Sequence, residues 1–158
     1  MPLKHYHQKN TPYFITTVTK NRVEIFNDKL ACQLFTTYLI YYKFKCCYNI
    51  KAFVIMPDHV HLILQPVVED NISDIMKKLK ASFSITYNKL TKSQGAIWQK
   101  GFYEKAIRDA KALNEVTEYI HYNPVRKKLV IEPKRYKFSS YNYYYENDDE
   151  FKILMIEM

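Results

Sequence analysis

The chain has 158 residues, 47% of them hydrophobic and 25% charged, with a formal net charge of +8, which suits one basic domain with a sizeable core. No apolar run approaches the roughly 18 residues of a membrane span, and the opening MPLKHYHQKN lacks the apolar stretch of a secretory leader. Gly95 and Gly101 are the only glycines, so neither a phosphate-cradling loop nor a dinucleotide fingerprint can be assembled.

Residues 12–19, PYFITTVT, alternate as a strand. A helix is predicted over 28–43 from Asn27 or Asp28 as cap, with Leu30, Leu34, Tyr38 and Tyr41 near its apolar face. Residues 48–56 and 59–66 read as two strands around Pro57-Asp58, most simply an antiparallel hairpin. From Asn71 to Leu90, Ile72, Ile75, Met76, Leu79, Phe83 and Tyr87 keep a helical period, leaving Lys77, Lys78 and Lys80 on the exposed side. A fourth strand falls within 97–107, where Trp98 reads as a structural anchor. A last long helix starts from the cap Asp109, with Leu113, Val116 and Ile120 as its apolar stripe, and Pro124 closes it at Asn123. The order β-α-β-β-α-β, followed by this helix, predicts an α+β domain with a ferredoxin-like antiparallel sheet.

Charge is unevenly spread. Residues 146–158 carry five carboxylates against Lys152, so the preceding 145 residues hold a net +12. Residues 1–145 are therefore read as the single domain and 146–158 as an acidic tail. A basic domain of this size suits a polyanionic partner, because phosphate neutralisation releases counterions. Cys32, Cys46 and Cys47 form an odd set without metal-binding spacing, as expected of reduced thiols in the cytoplasm.

Two segments carry chemistry. In VIMPDHVHLIL, His59 and His61 flank one valine, and strand alternation points both rings to one side. Such a pair can ligate one cation, or it can be two half-buried histidines of an amphipathic strand. Asp58 beside it orients an imidazole or shapes the turn, with direct ligation by its carboxylate as the alternative. In EVTEYIHYNPVRKKLV, Tyr119 and Asn123 are four residues apart and share one shoulder of the helix. His121 lies one residue off that line, on the surface or as a support behind the site, and Tyr122 faces away.

The chain resembles the single-tyrosine transposases of the HUH nuclease superfamily, and among them the REP-associated tyrosine transposases. The resemblance rests on MPDHVHLIL at 56–64, IWQKGFYEKAIRD at 97–109, YIHYNPVRKKLV at 119–130, FSSY at 138–141 and the opening YFITTVTKNRVEIF at 13–26. It covers most of residues 12–145 and implies an HUH-type fold whose additional helix bears the tyrosine. It also implies an enzyme that nicks and joins single-stranded DNA beside a hairpin, through a 5′-phosphotyrosine link with a free 3′-hydroxyl. Tyr119 matches the nucleophile, and His59, His61 and Asn123 match the ligands of a Mg2+ or Mn2+ ion. Arg108, Arg126, Lys127, Lys128, Lys77, Lys78 and Lys80 are expected phosphate contacts. The resemblance favours a monomer over a homodimer, acting in the cytoplasm on nucleoid DNA. A noncatalytic hairpin-binding or autoregulatory module on the same fold is the alternative. The chain departs from the family at Lys127 and Lys128, where a small residue and glycine are common, and at Tyr136 and Phe138, where tryptophans are common.

Overall fold

The computed structural model describes residues 7–68 and 72–158. Strands β1 (Tyr13–Val18), β2 (Tyr48–Met56), β3 (His59–Pro66) and β4 (Tyr103–Ala106) form one antiparallel sheet in the order β2-β3-β1-β4. With helices α1 (Lys29–Cys46) and α2 (Ile72–Thr91) in the connections, this is the expected ferredoxin-like arrangement, and α3 (Ala110–Arg126) is the added helix. Asn71, the expected start of α2, lies outside the described residues. Among the described residues no helix is long and apolar enough to cross a membrane.

Both faces of β2 and β3 are covered, which explains why these two strands read as continuous apolar runs. On one face Ile15, Phe53, Ile55, Val60 and Leu62 meet α1 and α2 through Phe35, Leu39, Ile75, Leu79 and Phe83. Trp98 fills the same core among Phe26, Phe35 and Phe83, and its Nε1–H donates to Lys80 O at 3.2 Å; it is an anchor, as expected. On the other face α3 lays Leu113, Val116 and Ile120 against Ala52, Val54, Met56 and Ile63. An extra residue in β2, Lys51, shifts the register between Ile50 and Ala52 and sends those two side chains to opposite cores.

Three sequence expectations need correction. The buried face of α1 carries Cys32, Phe35, Leu39, Tyr42 and Cys46, whereas Leu30 and Tyr41 are exposed. Twelve of the eighteen residues of this helix are apolar, so periodicity offers two stripes, and packing of Phe35 on Phe26, Phe83 and Trp98 selects one. The helix also runs on to Cys46, ending where Cys47 takes a left-handed φ of 52°. Pro124 does not close α3. It sits buried inside the last turn, and the chain continues helically to Arg126. Proline forfeits its own donor and crowds the carbonyl one turn back; the bonds that follow survive, with Lys127 N–H donating to Asn123 O and Leu129 N–H to Pro124 O. Lastly, His121 is buried, its Nε2 2.7 Å from Ser140 Oγ, and is neither a surface group nor part of the site around the histidine pair.

After α3 the chain returns along the free edge of β2. Ile55 N–H donates to Phe138 O and Ser140 N–H to Phe53 O, covering an edge that would otherwise pair with another chain. Two short helices follow, α4 (Tyr141–Tyr145) and α5 (Lys152–Met155). The acidic segment 146–158 is docked through them: Leu154 and Met155 enter the main core, and buried Lys43 donates to the carbonyls of Ile153, Leu154 and Ile156.

Candidate active site

β3 presents His59 and His61 on the α3 face, with ring centroids 4.7 Å apart. Cross-strand pairing puts Val54 and Thr16 on either side of His61 and Met56 and Val18 on either side of His59, so both rings stand on the centre of the sheet. α3 crosses above them. Its Asn123 Nδ2 donates to His61 Nε2 at 3.3 Å, and the Tyr119 ring lies 5.4 Å from the His61 ring. Two segments some sixty residues apart in sequence therefore converge on one small volume.

Partners behind the rings set their orientation. His59 Nδ1 lies 2.5 Å from Asp58 Oδ1, and Asp58 Oδ2 accepts from Arg22 at 2.9 Å. His61 Nδ1 lies 2.7 Å from Thr16 Oγ1. An amide donor at His61 Nε2 makes that atom the lone-pair nitrogen and Nδ1–H the donor to Thr16. With Nδ1–H of His59 on Asp58, both rings keep an Nε2 lone pair free of their backing partners. Burial, then the neighbouring His59 and Lys127, outweigh the pull of Asp58 and lower the His61 pKa from 6.5 to about 3. That ring is a neutral donor at physiological pH. Burial raises the Asp58 carboxyl, but hydrogen bonds and charge from His59 and Arg22 outweigh it and hold it below the usual carboxylate range.

Asn123 Oδ1 is buried with no hydrogen-bond partner. Burying an amide oxygen unpaired costs about 1–3 kcal/mol, so the atom is poised for a partner that the protein itself does not supply. A half-turn of the amide exchanges oxygen and nitrogen, aiming an oxygen donor beside the imidazole. Among the described residues no group of three His, Cys, Asp or Glu side chains could hold a metal ion. The donor set that fits one here is two imidazoles and an amide oxygen, with coordination positions left for phosphate and water.

Tyr119 is 39% exposed, with its ring edge-on to Phe14 at 6.0 Å and the Arg126 guanidinium 5.1 Å from its centroid. Because α3 continues past Pro124, Tyr119, Asn123 and Arg126 occupy one stripe at i, i+4 and i+7. Lys127 lines a cavity of about 210 Å3 with Arg22, Asp58 and His59. Arg126 and Lys127 thus reach the site. Lys128, with φ of 58°, follows the end of α3 and is exposed. Arg108 lies past β4, lining a recess with Gln8, Asn10 and Tyr13. Lys77, Lys78 and Lys80 sit on α2, across the sheet from the histidines. Lys80 is half-buried, donates to Gln99 O and Gly101 O, and covers the Trp98 ring. Tyr122 turns away and packs on Tyr141. Sequence reasoning missed Thr16, Arg22 and Phe14. The roles of Thr16 and Phe14 depend on strand register, for which alternation along β1 was the available signal, since it puts both on the same face; Arg22 stands in the turn after β1, which brings it to Asp58.

The family model of IS200-like transposases matches residues 7–123. This chain belongs to that family. It is 29% identical over 147 residues to a REP-associated tyrosine transposase of Escherichia coli K12, covering 88% of this chain and 81% of that one. It is 30% identical over 143 residues to a Haemophilus influenzae protein provisionally named a REP-associated tyrosine transposase, covering 82% of this chain and 79% of the relative. The solved structure of a REP-associated tyrosine transposase bound to a REP hairpin superposes with a TM-score of 0.80 at 24% identity, over 100% of this chain and 92% of that one. A crystal structure from Deinococcus radiodurans, described as that of a transposase by inference, gives 0.54 at 21% identity, over 76% and 95% of the two chains.

Proposed function

We propose that this protein is a divalent-cation-dependent enzyme that nicks and rejoins single-stranded DNA beside a hairpin, with Tyr119 as nucleophile. The observation that carries the reading is the convergence of Tyr119 and Asn123 on the two imidazoles, one exposed phenol beside one set of donors suited to a cation. The hairpin held by the solved relative supports the class of substrate. The basic character of the chain supports a phosphate-rich one.

His59, His61 and Asn123 would hold Mg2+ or Mn2+. Bound there, the cation would polarise a non-bridging oxygen of the scissile phosphate and stabilise the charge that develops on it. Asp58 and Thr16 hold the two rings with Nε2 forward. Arg126 fixes the plane of the Tyr119 ring and offers a positive charge to the phenolic oxygen and the phosphate. Tyr119 Oη attacks phosphorus in line with the leaving 3′-oxygen. The phenol gives up its proton, the 3′-oxygen takes one, and the 5′-phosphate remains on the tyrosine. Attack by a 3′-hydroxyl reverses the step and joins strands without nucleotide hydrolysis, in keeping with the missing phosphate-binding loop. One tyrosine and one donor set in one chain suit a monomer acting on nucleoid DNA in the cytoplasm.

The test uses labelled hairpin DNA with unpaired flanks, taken from sequence bordering the gene, incubated with Mg2+ or Mn2+ and resolved under denaturing conditions. Wild type forms a covalent adduct; Tyr119→Phe binds the hairpin but forms none. An adduct that persists in Tyr119→Phe refutes the nucleophile. Hairpin binding without any adduct from wild type supports a noncatalytic module instead.

A further inference from the structure

Among the described residues, α3 covers β2 and the adjoining side of β3 and reaches β1 at Phe14, leaving the same sheet face exposed at Tyr103 and Lys105 of β4. Strand register defines what lies on this side. One cross-strand row runs His61, Thr16, Tyr103, and the next runs Ile63, Phe14, Lys105. Tyr103 is 54% exposed and its ring is 6.0 Å from Phe14; Phe14 stacks on His61 at 5.4 Å and meets Tyr119 at 6.0 Å. Lys105 is exposed beside them. Lone exposed aromatic residues are ordinary. Here aromatic contacts run unbroken from an exposed phenol to the histidine pair, on a strand that also carries a surface cation.

We infer that this open face is the floor on which an unpaired DNA strand enters the site, with Tyr103 stacking one base and Lys105 meeting a neighbouring phosphate. Tyr103 is two strands from His61, roughly 10 Å in the hydrogen-bonding direction. A base stacked there belongs to a nucleotide close to the phosphate held at the histidines. The occupant is single-stranded because a duplex hides its base faces, whereas an unpaired base offers a face to any ring. The positive charges of Lys105, Arg126 and Lys127 beside the floor complement the strand's phosphates. The assignment of the nearby phosphate as the scissile one rests on the function proposed above; the stacking floor itself does not.

The experiment measures binding of a short oligothymidylate carrying one 2-aminopurine, and of a duplex of equal length, with a chelator present so that no strand is cut. Stacking quenches the 2-aminopurine on wild type. Tyr103→Ala weakens single-strand binding about tenfold and abolishes the quench, while duplex binding is unchanged. Tyr103→Phe behaves as wild type, and Lys105→Ala lowers the salt dependence by about one phosphate contact. Thermal melting verifies that Tyr103→Ala is folded, which its exposure favours. Unchanged affinity in Tyr103→Ala, or an equal loss for single strand and duplex, overturns the inference. The two proposals fail separately. Absence of a covalent adduct counts against strand cleavage alone, and an adduct from wild type with unmoved single-strand affinity in Tyr103→Ala removes the floor alone.

Discussion

Replacing Asp58 with asparagine isolates what holds His59 in place. The carboxylate accepts from His59 Nδ1 at 2.5 Å with one oxygen and from Arg22 with the other. Asparagine keeps the shape and an acceptor oxygen but removes the charge, and charge-assisted hydrogen bonds are about twice as strong as neutral ones. Partners behind ligating histidines typically govern 10- to 100-fold in metal affinity, about 1.4–2.8 kcal/mol. Little of the effect can come from Arg22, which is mostly exposed and whose ion pair is correspondingly screened. The assay titrates Mn2+ and follows the free ion by electron paramagnetic resonance, in parallel with the Mn2+ dependence of adduct formation. Asp58→Asn should shift both midpoints upward by roughly tenfold or more, with full adduct recovered at high Mn2+ and cation-free hairpin binding untouched. Arg22→Gln should shift them far less. A folded Asp58→Asn protein with the wild-type Mn2+ midpoint would refute the reasoning, because His59 would then owe neither its orientation nor its basicity to the carboxylate.

Other consequences follow from single contacts. Arg126→Ala removes the cation over the Tyr119 ring; exposed cation–π contacts contribute about 0.5–1 kcal/mol, so single-turnover adduct formation should slow at least two- to fivefold, with Arg126→Lys intermediate. Lys43→Ala leaves three carbonyls at the end of α5 without their donor and should lower stability to urea by about 2–3 kcal/mol, whereas Lys45→Ala on the exposed side of α1 should be nearly neutral. Burial lowers the His121 pKa from 6.5 to about 4. The stability tied to this shift is fully present above pH 6.5 and is lost as pH falls toward 4, at up to about 1.4 kcal/mol per pH unit, because only the unfolded chain then takes the proton readily. His121→Gln should flatten that window in urea melts at pH 7, 5.5 and 4.5; identical slopes for wild type and variant would show that another group governs acid sensitivity.

Much of the fold was legible because alternation and helical periodicity were unambiguous where it mattered. The β2–β3 hairpin and the stripe of α2 are local patterns, and Asp28 and Asp109 cap α1 and α3 as their positions in the sequence imply, accepting from Leu30 N–H and Ala112 N–H. The apolar face of α1 was read only in part: Leu34 and Tyr38 pack at the edge of the core while Leu30 and Tyr41 are exposed, because a helix apolar on several sides carries no unique moment, and contacts with Phe26, Phe83 and Trp98 centre the buried face on Phe35. The end of α3 was misread for another reason. The local bias of the residue before proline was outweighed by burial of Pro124 and by the surviving bonds around it. That error concealed a functional placement, since Arg126 reaches Tyr119 only if the helix continues.

The site was legible as two pairs, His59 with His61 and Tyr119 with Asn123, because each pair is set by the repeat of its own element. What joins them is set by width. A helix with its side chains is about 10–12 Å across and strands are about 4.8 Å apart, so one helix laid on a four-stranded sheet roofs about two strands. With the order β2-β3-β1-β4, a helix seated on β2 has its outer flank above β3. That flank is where Tyr119, Asn123 and Arg126 project, and it is the side of β3 next to the unroofed half of the sheet. A phenol in that position is supported by the core on one side and open to solvent on the other. The open half of the sheet and the exposed phenol of Tyr119 are therefore one geometric consequence of a single helix being too narrow to cover four strands.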